Sequence, residues 1–177
     1  MPTGHVFIAT SLDGYIARPD GDIGWLLERD AADEDHGYTD FIADKDMIVM
    51  GRGSFEKVRT FATWPYDWPV LVLSSQLAGT PVPASLDGKV RFSNLAPREA
   101  MHMLGEQGVR RVYVDGGRLL QSFLREGLIE DMVITTVPVL IGAGRPLFGP
   151  VARDLDLELL GSRSFPSGLV QSSYRVL

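Results

Sequence analysis

The stretch Met47-Ile48-Val49-Met50-Gly51-Arg52-Gly53-Ser54-Phe55-Glu56 joins an apolar run directly to a glycine-rich turn and a helical pattern. A second stretch, Val112-Tyr113-Val114-Asp115-Gly116-Gly117-Arg118-Leu119, repeats the same order of strand, glycine turn and helix. Runs that are apolar at every position are typical of parallel strands that are covered on both faces. Both stretches therefore predict strand-to-helix turns in an α/β protein.

The same alternation continues through most of the chain. Further apolar runs predict strands over residues 6–9, 70–73 and 90–92, and helical patterns cover residues 33–44, 54–61, 97–107 and 119–126. After Gly127 the pattern changes, because residues 132–140, 155–160 and 169–177 read as strands without a helix between them. The sequence predicts an α/β sheet with much parallel pairing and an antiparallel C-terminal edge.

Composition excludes several other classes of protein. The chain has 177 residues with a net charge of −6, and we expect one domain over residues 1–177. It contains no cysteine, which excludes a disulfide framework and a thiolate metal site. The acidic balance argues against a nucleic-acid partner. No apolar run approaches the ~18 residues of a membrane span, so we expect no membrane partner and a cytoplasmic location.

Both glycine turns have the features of a phosphate site. Gly51 and Gly53 let the backbone approach a ligand, Ser54 can cap the following helix, and Arg52 and Arg118 carry guanidinium groups suited to phosphate. A third element, Ser74-Ser75-Gln76, follows another strand and offers neutral donors. Glycine is also common at strand-to-helix turns for steric reasons alone, and the arginines can be solvated surface residues. The pattern is neither a dinucleotide fingerprint nor a P-loop.

Taken together, these motifs resemble a known superfamily. The order and spacing of residues 51–56, 73–76 and 116–118 are similar to those of the dihydrofolate reductase superfamily. The opening Ala9-Thr10-Ser11-Leu12-Asp13-Gly14-Tyr15-Ile16-Ala17 and the stretch from Pro138 to Phe148 resemble the riboflavin-pathway pyrimidine reductase domain and its stand-alone relatives. The resemblance covers nearly the whole chain. It implies a dihydrofolate reductase-like three-layer α/β/α fold around a mixed, mostly parallel sheet.

The resemblance also implies an NADPH site. It places the adenosine 2′-phosphate against Arg52, Ser74, Ser75 and Gln76, an arginine with hydroxyls being chemically suited to that group. It places the pyrophosphate against Ser54 and the turn of Gly116, Gly117, Arg118 and Leu119. The other residues expected to bind the cofactor are Gly51, Gly53 and Asp115. It places the nicotinamide beside Ala9, Ile16 and Ala17, and residues 21–25 resemble the mobile loop that closes over it.

The chain departs from the family pattern at two positions on the substrate side. Trp68 stands where dihydrofolate reductases carry an arginine that holds the folate glutamate, so we expect poor activity on dihydrofolate. Phe7 stands where the riboflavin-pathway domain commonly has a lysine. The expected substrate is therefore a small heterocycle, similar to a pyrimidine or a pterin, whose identity the sequence does not name.

A reductase also needs a proton source near the substrate. The candidates are Asp35, which lies where the superfamily places its carboxylate, and Asp13, which belongs to an Asp-Gly pair. A solvated acidic helix and a tight turn are the alternative explanations of these two residues, and water is the alternative proton source. The three histidines are scattered along the chain, so we predict no metal site.

The sequence is compatible with two functions. The first is an NADPH-dependent reductase that acts on a small molecule, and the second is an NADP(H)-binding module without turnover. The strand that begins at Met132 carries apolar residues on both faces, which favours a homodimer. The alternative is that a helix of the same chain covers the second face.

Overall fold

The computed structural model of the protein describes residues 1–29 and 34–177. The described strands are β1 (Thr3–Ser11), β2 (Tyr15–Ala17), β3 (Met47–Gly51), β4 (Val70–Leu73), β5 (Val90–Ser93), β6 (Arg111–Asp115), β7 (Ile129–Val137), β8 (Arg145–Pro146), β9 (Leu157–Ser164) and β10 (Val170–Val176). The described α-helices are α1 (Gly24–Leu27), α2 (Tyr38–Ala43), α3 (Arg52–Val58), α4 (Pro97–Glu106) and α5 (Gly117–Arg125).

The central sheet has eight strands in the order β5-β4-β3-β6-β1-β7-β10-β9. The neighbours from β5 to β7 pair in parallel, whereas β10 is antiparallel to both β7 and β9. Helices α4 and α5 pack on one face through buried side chains such as Met101 and Phe123. Helices α2 and α3 pack on the other face through Ile42 and Phe55. The predicted three-layer fold, with its antiparallel C-terminal strands, is confirmed.

Three helices begin at residues other than those predicted, and one of them, α5, begins at Gly117 rather than at Leu119. The helix predicted over residues 33–44 is only α2, because His36 (φ 51°) and Gly37 (φ 82°) adopt left-handed conformations that a helix cannot continue through. Asp33 lies outside the described residues. Helix α3 begins at Arg52 rather than at Ser54, and Gly51 is its N-cap. Ser54 therefore lies inside the helix and does not cap it.

A polar cluster fixes the start of α2 against the β9–β10 hairpin. Gln171 is buried, and its Nε2 donates to the His36 carbonyl (3.0 Å) and to Thr135 Oγ1 (2.9 Å). Arg163 donates to the Gln171 side-chain oxygen and to the His36 carbonyl. Buried amides must find such partners. The left-handed turn before α2 is thus held by hydrogen bonds from strands far away in the sequence.

A second, two-stranded sheet was not predicted. In it β2 pairs with β8, so that Tyr15 lies opposite Pro146 and Ala17 opposite Arg145. The Leu147 amide donates to the Gly14 carbonyl (3.0 Å), and Gln121 Nε2 of α5 donates to the carbonyls of Pro146 and Leu147. The segment 145–147 is therefore fixed to both β2 and α5. Strands of three and two residues are too short to give a periodic signal.

Strand β9 forms an exposed edge of the main sheet. All eight of its residues are exposed, and they include Leu157, Leu159 and Leu160. Strand β7, by contrast, is largely covered, since Met132 and Val137 are buried. The exposed apolar surface that bears on a homodimer therefore lies on β9 rather than on β7. Within the described ranges, no helix is long and apolar enough to cross a membrane.

Candidate cofactor and active site

Three of the predicted turns meet at one edge of the sheet. Gly51 at the end of β3 lies opposite Leu73 at the end of β4, and Met50 lies opposite Asp115 at the end of β6. Because these strands are parallel, their carboxyl ends share one edge, where α/β proteins bind ligands. The structure thus brings together the glycine turns and the segment that begins at Ser74.

The two glycine turns touch each other directly. Gly116 has φ 102°, and a Cβ on it would lie 2.7 Å from Ser54 Oγ. A Cβ on Gly117 would lie 2.7 Å from Ile16 Cδ1 and 3.1 Å from the Pro146 carbonyl oxygen. At Gly51, by contrast, a Cβ would have only Leu119 Cβ nearby, at 3.7 Å. Glycine is therefore needed at positions 116 and 117 for packing, whereas the backbone at Gly51 stays accessible to a ligand.

The side chains predicted to hold the 2′-phosphate lie at the same edge, on the surface. Arg52 is exposed and pairs with Glu56 at 2.9 Å. Ser74 Oγ accepts the amides of Gln76 (3.2 Å) and Leu77 (3.3 Å), which leaves its proton available for a ligand oxygen. Ser75 and Gln76 are exposed. An arginine, hydroxyls and an amide at one sheet edge fit a phosphate monoester.

Arg118 and Leu119 open helix α5. Arg118 is exposed, and Leu119 is half-buried beside Gly51. Helix α5 has nine residues, and the amides of its first turn have no partners within the helix. Together with the open backbone at Gly51, these groups fit the pyrophosphate of a dinucleotide. The residues present are thus compatible with bound NADPH.

Asp115, which the sequence assigned only to the cofactor turn, is a carboxyl group in a desolvated environment. Burial raises the pKa of Asp115 above its ordinary value of 3.8, and hydrogen bonding to Ser54, the Gly116 amide and Tyr113 offsets this only in part. No lysine or arginine among the described residues contributes to its pKa. A carboxyl group with a raised pKa, close to a ligand site, is a candidate general acid.

Tyrosine side chains from three different segments lie close enough to Asp115 for its charge to affect their pKa values. Burial, together with the charge of Asp115, raises the pKa of Tyr38 on α2 to about 12, and it raises those of Tyr66 and Tyr113 as well. The Tyr113 hydroxyl donates to the Phe7 carbonyl (3.0 Å). The Trp64 indole N–H is buried beside Tyr66 and has no partner among the described residues. These groups offer hydrogen bonds without a fixed charge.

The two aspartates proposed from the sequence as acids have other contacts. Asp13 accepts the backbone amides of Ile141 (3.2 Å) and Gly142 (2.8 Å), and hydrogen bonding, above all from Ser11, lowers its pKa. Asp35 is exposed and accepts the Thr39 hydroxyl (3.0 Å) just before α2. The lowered pKa of Asp13 makes it a poorer candidate for a proton donor than Asp115, whose pKa is raised, while the assignment of Asp35 stays a prediction.

The residues expected beside the nicotinamide lie along the ends of β1 and β2. Ala9 and Ile16 are partly buried and Ala17 is buried. Ala9 packs against a cluster that contains Trp25 and Val137. Trp25 is buried, and its indole N–H has no partner among the described residues. The loop that resembles the mobile loop is therefore anchored by a tryptophan next to the expected nicotinamide position.

Two cavities flank these elements. One, of about 340 Å³, is lined by polar residues of the loop 20–22, of α3 and of β8: Asp20, Gly21, Asp22, Gly53, Glu56, Lys57, Thr60 and Arg145. The other, of about 510 Å³, lies between α2 and the β9–β10 hairpin and contains no predicted site residue. Within residues 1–29 and 34–177, no three histidine or acidic side chains cluster in a way that could hold a metal.

Sequence reasoning missed the raised pKa of Asp115 and the position of Arg145. A signal for the first was present, because Tyr113 and Asp115 are two residues apart on one strand and must face the same side. That side is the one that α2 and α3 cover. No signal for the second was present, because Arg145 reaches the site through the β2–β8 pairing, which the sequence did not predict.

Comparison with known proteins identifies the family. The chain is 33% identical to the uncharacterised protein YwjB of Bacillus subtilis (strain 168), over 90% of each chain. It superposes on a putative riboflavin biosynthesis protein from Shewanella sp. PV-4 with a TM-score of 0.91 and 37% identity, over 99% of both chains.

The fold also extends to a bifunctional enzyme. A deaminase/5-amino-6-(5-phosphoribosylamino)uracil reductase from Thermotoga maritima has a TM-score of 0.77 at 14% identity, with 99% of this chain and 57% of that one covered, which shows the shared fold alone. Residues 2–171 match the model of the RibD C-terminal domain. The chain therefore belongs to the RibD C-terminal domain family.

Proposed function

We propose that the protein is an NADPH-dependent reductase that transfers a hydride to a small, neutral heterocyclic substrate. The observation that carries the proposal is the position of Asp115. Its carboxyl group, with a raised pKa, is the last residue of the strand that leads into the Gly116–Gly117 turn. A proton donor and a dinucleotide cradle therefore adjoin on one strand, as a reductase requires.

The cofactor would be held at both of its phosphate positions. Arg52, with Ser74, Ser75 and Gln76, would bind the 2′-phosphate at the edge of the sheet where these side chains lie. The turns at Gly51 and Gly116 would receive the pyrophosphate. Bound NADPH would supply the hydride.

A residue of the chain would supply the proton that the reduced substrate takes up. Asp115 is the candidate donor, since burial keeps its carboxyl group protonated to a higher pH than that of an exposed aspartate. The hydroxyl of Ser54 and the Gly116 amide hold that carboxyl group in place. Tyr38 and Tyr66 would line the substrate position and exclude water from it, because both are partly buried around Asp115.

The environment of Asp115 favours a substrate without a phosphate or carboxylate tail. Phe7 packs against the rings of Tyr38 (5.5 Å) and Phe41 (5.1 Å) and supplies no charge. Trp68 packs, half-buried, in the same apolar cluster. Flat aromatic walls with hydroxyl and indole donors suit an uncharged ring that carries carbonyl and amino groups.

A second candidate function remains an NADP(H)-binding module without turnover. The contacts of Asp13 favour it, since hydrogen bonding lowers the pKa of this carboxyl group and makes it a poorer proton donor. The two functions differ in turnover, which is whether a substrate oxidises the bound NADPH.

The deciding experiment combines a binding assay with a turnover assay. NADPH binding is measured by calorimetry, and NADPH oxidation is then followed at 340 nm with a panel of uncharged pyrimidines and pterins and with their phosphorylated counterparts. We expect saturable binding and oxidation with an uncharged member of the panel. Binding without oxidation by any member would support the binding module, and absence of binding would refute both functions.

A further inference from the structure

Arg145 lies over the cofactor edge although it comes from a distant part of the sequence. Its backbone pairs with Ala17 of β2, and the next residue, Pro146, brings its carbonyl oxygen to 3.1 Å from the Cβ position of Gly117. Gly144 allows this approach, because a Cβ there would lie 2.3 Å from the Ala17 carbonyl oxygen. The β2–β8 sheet thus places Arg145 beside the first turn of α5.

Two glycines leave room for the Arg145 guanidinium. A Cβ on Gly53, in the first turn of α3, would lie 3.4 Å from Arg145 Nη1. A Cβ on Gly21 (φ 91°) would lie 3.2 Å from Arg145 Nη2. The guanidinium therefore lies between the loop 18–22 and the glycine turn at Gly53, on the rim of the 340 Å³ cavity.

Within the part of the chain that the structure describes, the Arg145 guanidinium has no carboxylate partner. Its Nε and Nη2 reach only the Pro19 carbonyl oxygen, at a long 3.4 Å for each. The carboxylates nearest in the cavity have other partners, since Glu56 pairs with Arg52 (2.9 Å) and Asp22 with Arg18 (3.7 Å). Among residues 1–29 and 34–177, no carboxylate forms an ion pair with Arg145.

Asp20 is the remaining carboxylate of the cavity. Its Oδ1 accepts the amide of Asp22 at 2.9 Å, so it stabilises the loop rather than the arginine. The second cation of the cavity, Lys57 on α3, forms no ion pair with a described residue either. The rim therefore has two cations that a ligand anion can approach.

We propose that Arg145 binds the pyrophosphate of NADPH, an inference that rests on the proposed function. The guanidinium lies beside the turn at Gly53 and the first turn of α5, which are the two backbone segments assigned to that anion. A planar fork of N–H donors fits a phosphate better than it fits one carbonyl. Binding would exchange two long contacts to Pro19 for short, charge-assisted ones.

The test compares two ligands in a binding assay that needs no turnover. NADPH carries the pyrophosphate, whereas adenosine 2′-monophosphate carries only the phosphate that we assign to Arg52 and Ser74. Calorimetry on Arg145→Ala should show a dissociation constant for NADPH raised by about tenfold and no change for adenosine 2′-monophosphate. Arg145→Lys keeps the charge but loses the planar fork of donors, so its dissociation constant for NADPH should lie between those of the wild-type protein and Arg145→Ala.

Arg125→Ala is the matched control. Arg125 is an exposed arginine at the other end of α5, where it donates to Ser122 Oγ (2.9 Å). Its loss changes the net charge by the same amount, and we expect no effect on either ligand. Urea denaturation of each variant shows whether the fold is intact.

The other outcomes are distinguishable. If the wild-type protein does not bind NADPH, the proposed function itself fails. If the wild-type protein binds and Arg145→Ala binds equally well, the present inference fails while the proposed function stands. Hydrogen exchange of the amides in residues 18–24 completes the test. Faster exchange in Arg145→Ala with unchanged affinity for NADPH would mean that Arg145 only stabilises the loop and does not bind the cofactor.

Discussion

The hydroxyl oxygen of Ser54 lies 2.7 Å from the point where a side chain on Gly116 would begin. This contact joins the two strand-to-helix turns, one after β3 and the other after β6. Gly116 also has φ 102°, a conformation that other residues rarely adopt. The spacing between the turns, and with it the shape of the candidate cofactor cradle, therefore depends on the absence of one methyl group.

Gly116→Ala should lower both the affinity for NADPH and the free energy of unfolding. The positive φ alone costs roughly 1–2 kcal/mol for a residue with a Cβ, and the clash with Ser54 adds about 1–3 kcal/mol. Gly108→Ala is the control, since Gly108 has φ 86° and open space around it. Urea denaturation measures both costs, and equal stability losses in the two variants would contradict the steric argument.

Arg52→Ala should lower the affinity for NADPH more than the affinity for NADH. A charge-assisted hydrogen bond contributes ~1.5–3 kcal/mol, so we expect about a tenfold rise or more in the dissociation constant for NADPH. Glu56→Gln removes the partner of Arg52 (2.9 Å) without removing the arginine, and it should leave NADPH binding intact. Equal affinities of the wild-type protein for NADPH and NADH would contradict the assignment.

Asp115→Asn should greatly reduce turnover while NADPH binding persists. A general acid must be protonated, and burial raises the pKa of Asp115, so the wild-type rate should fall as the pH rises through that pKa. General acid catalysis contributes roughly 10²–10⁴-fold in rate. The turnover rate of Asp115→Asn should be lower by this factor and should no longer decrease as the pH rises. Asp13→Asn, which alters a carboxylate with a lowered pKa, should leave the pH profile in place.

The same variant should change how stability depends on pH. A folded-state pKa above the ordinary 3.8 means that Asp115 stabilises the fold fully below that value and loses this contribution as the pH rises through the folded-state pKa. Asp115→Asn lacks this dependence, so the wild-type protein should lose stability relative to the variant as the pH rises. Thermal denaturation from pH 4 to pH 8 measures the difference, and a constant difference would contradict the raised pKa.

We propose that the protein forms a homodimer through the exposed edge β9. Leu159 is 59% exposed on this strand, and long apolar edges tend to pair with another chain. Leu159→Arg should give monomers in sedimentation equilibrium, while Leu27→Arg, at a leucine that is 55% exposed on α1, should not. A wild-type mass of 19.5 kDa at all concentrations would mean that no dimer forms.

The sequence predicted the layers of the fold better than it predicted the site. Apolar runs such as Val70–Leu73 and the pattern of Pro97–Glu106 carry strong periodic signals, and the structure confirms both elements. The end of β6 was read as a cofactor turn alone, because a sequence does not show that Tyr38 and Tyr66 gather around Asp115. Desolvation depends on groups brought together by the fold, so the raised pKa could not be predicted.

The prediction of a helix before Tyr38 was wrong for a related reason. The acidic residues from Asp33 to Asp44 suited a helix locally, but His36 has a left-handed conformation that Gln171 and Arg163 hold from the other end of the chain. Long-range hydrogen bonds here outweigh local helix preference. The position of Arg145 could not be predicted for the same reason, because it depends on the pairing of two strands of only three and two residues.

The position of β1 in the sheet has a consequence for the synthesis of the protein. Strand β1 leaves the ribosome before the other described strands, yet both of its neighbours, β6 and β7, lie beyond residue 110. The contiguous segment from β3 to β5 can pair early, while Val6 and Ile8 must wait for partners from the second half of the chain. Such late closure lengthens the time for which an apolar strand is open to aggregation. Slow translation beyond β5 should therefore increase the dependence of the nascent chain on chaperones.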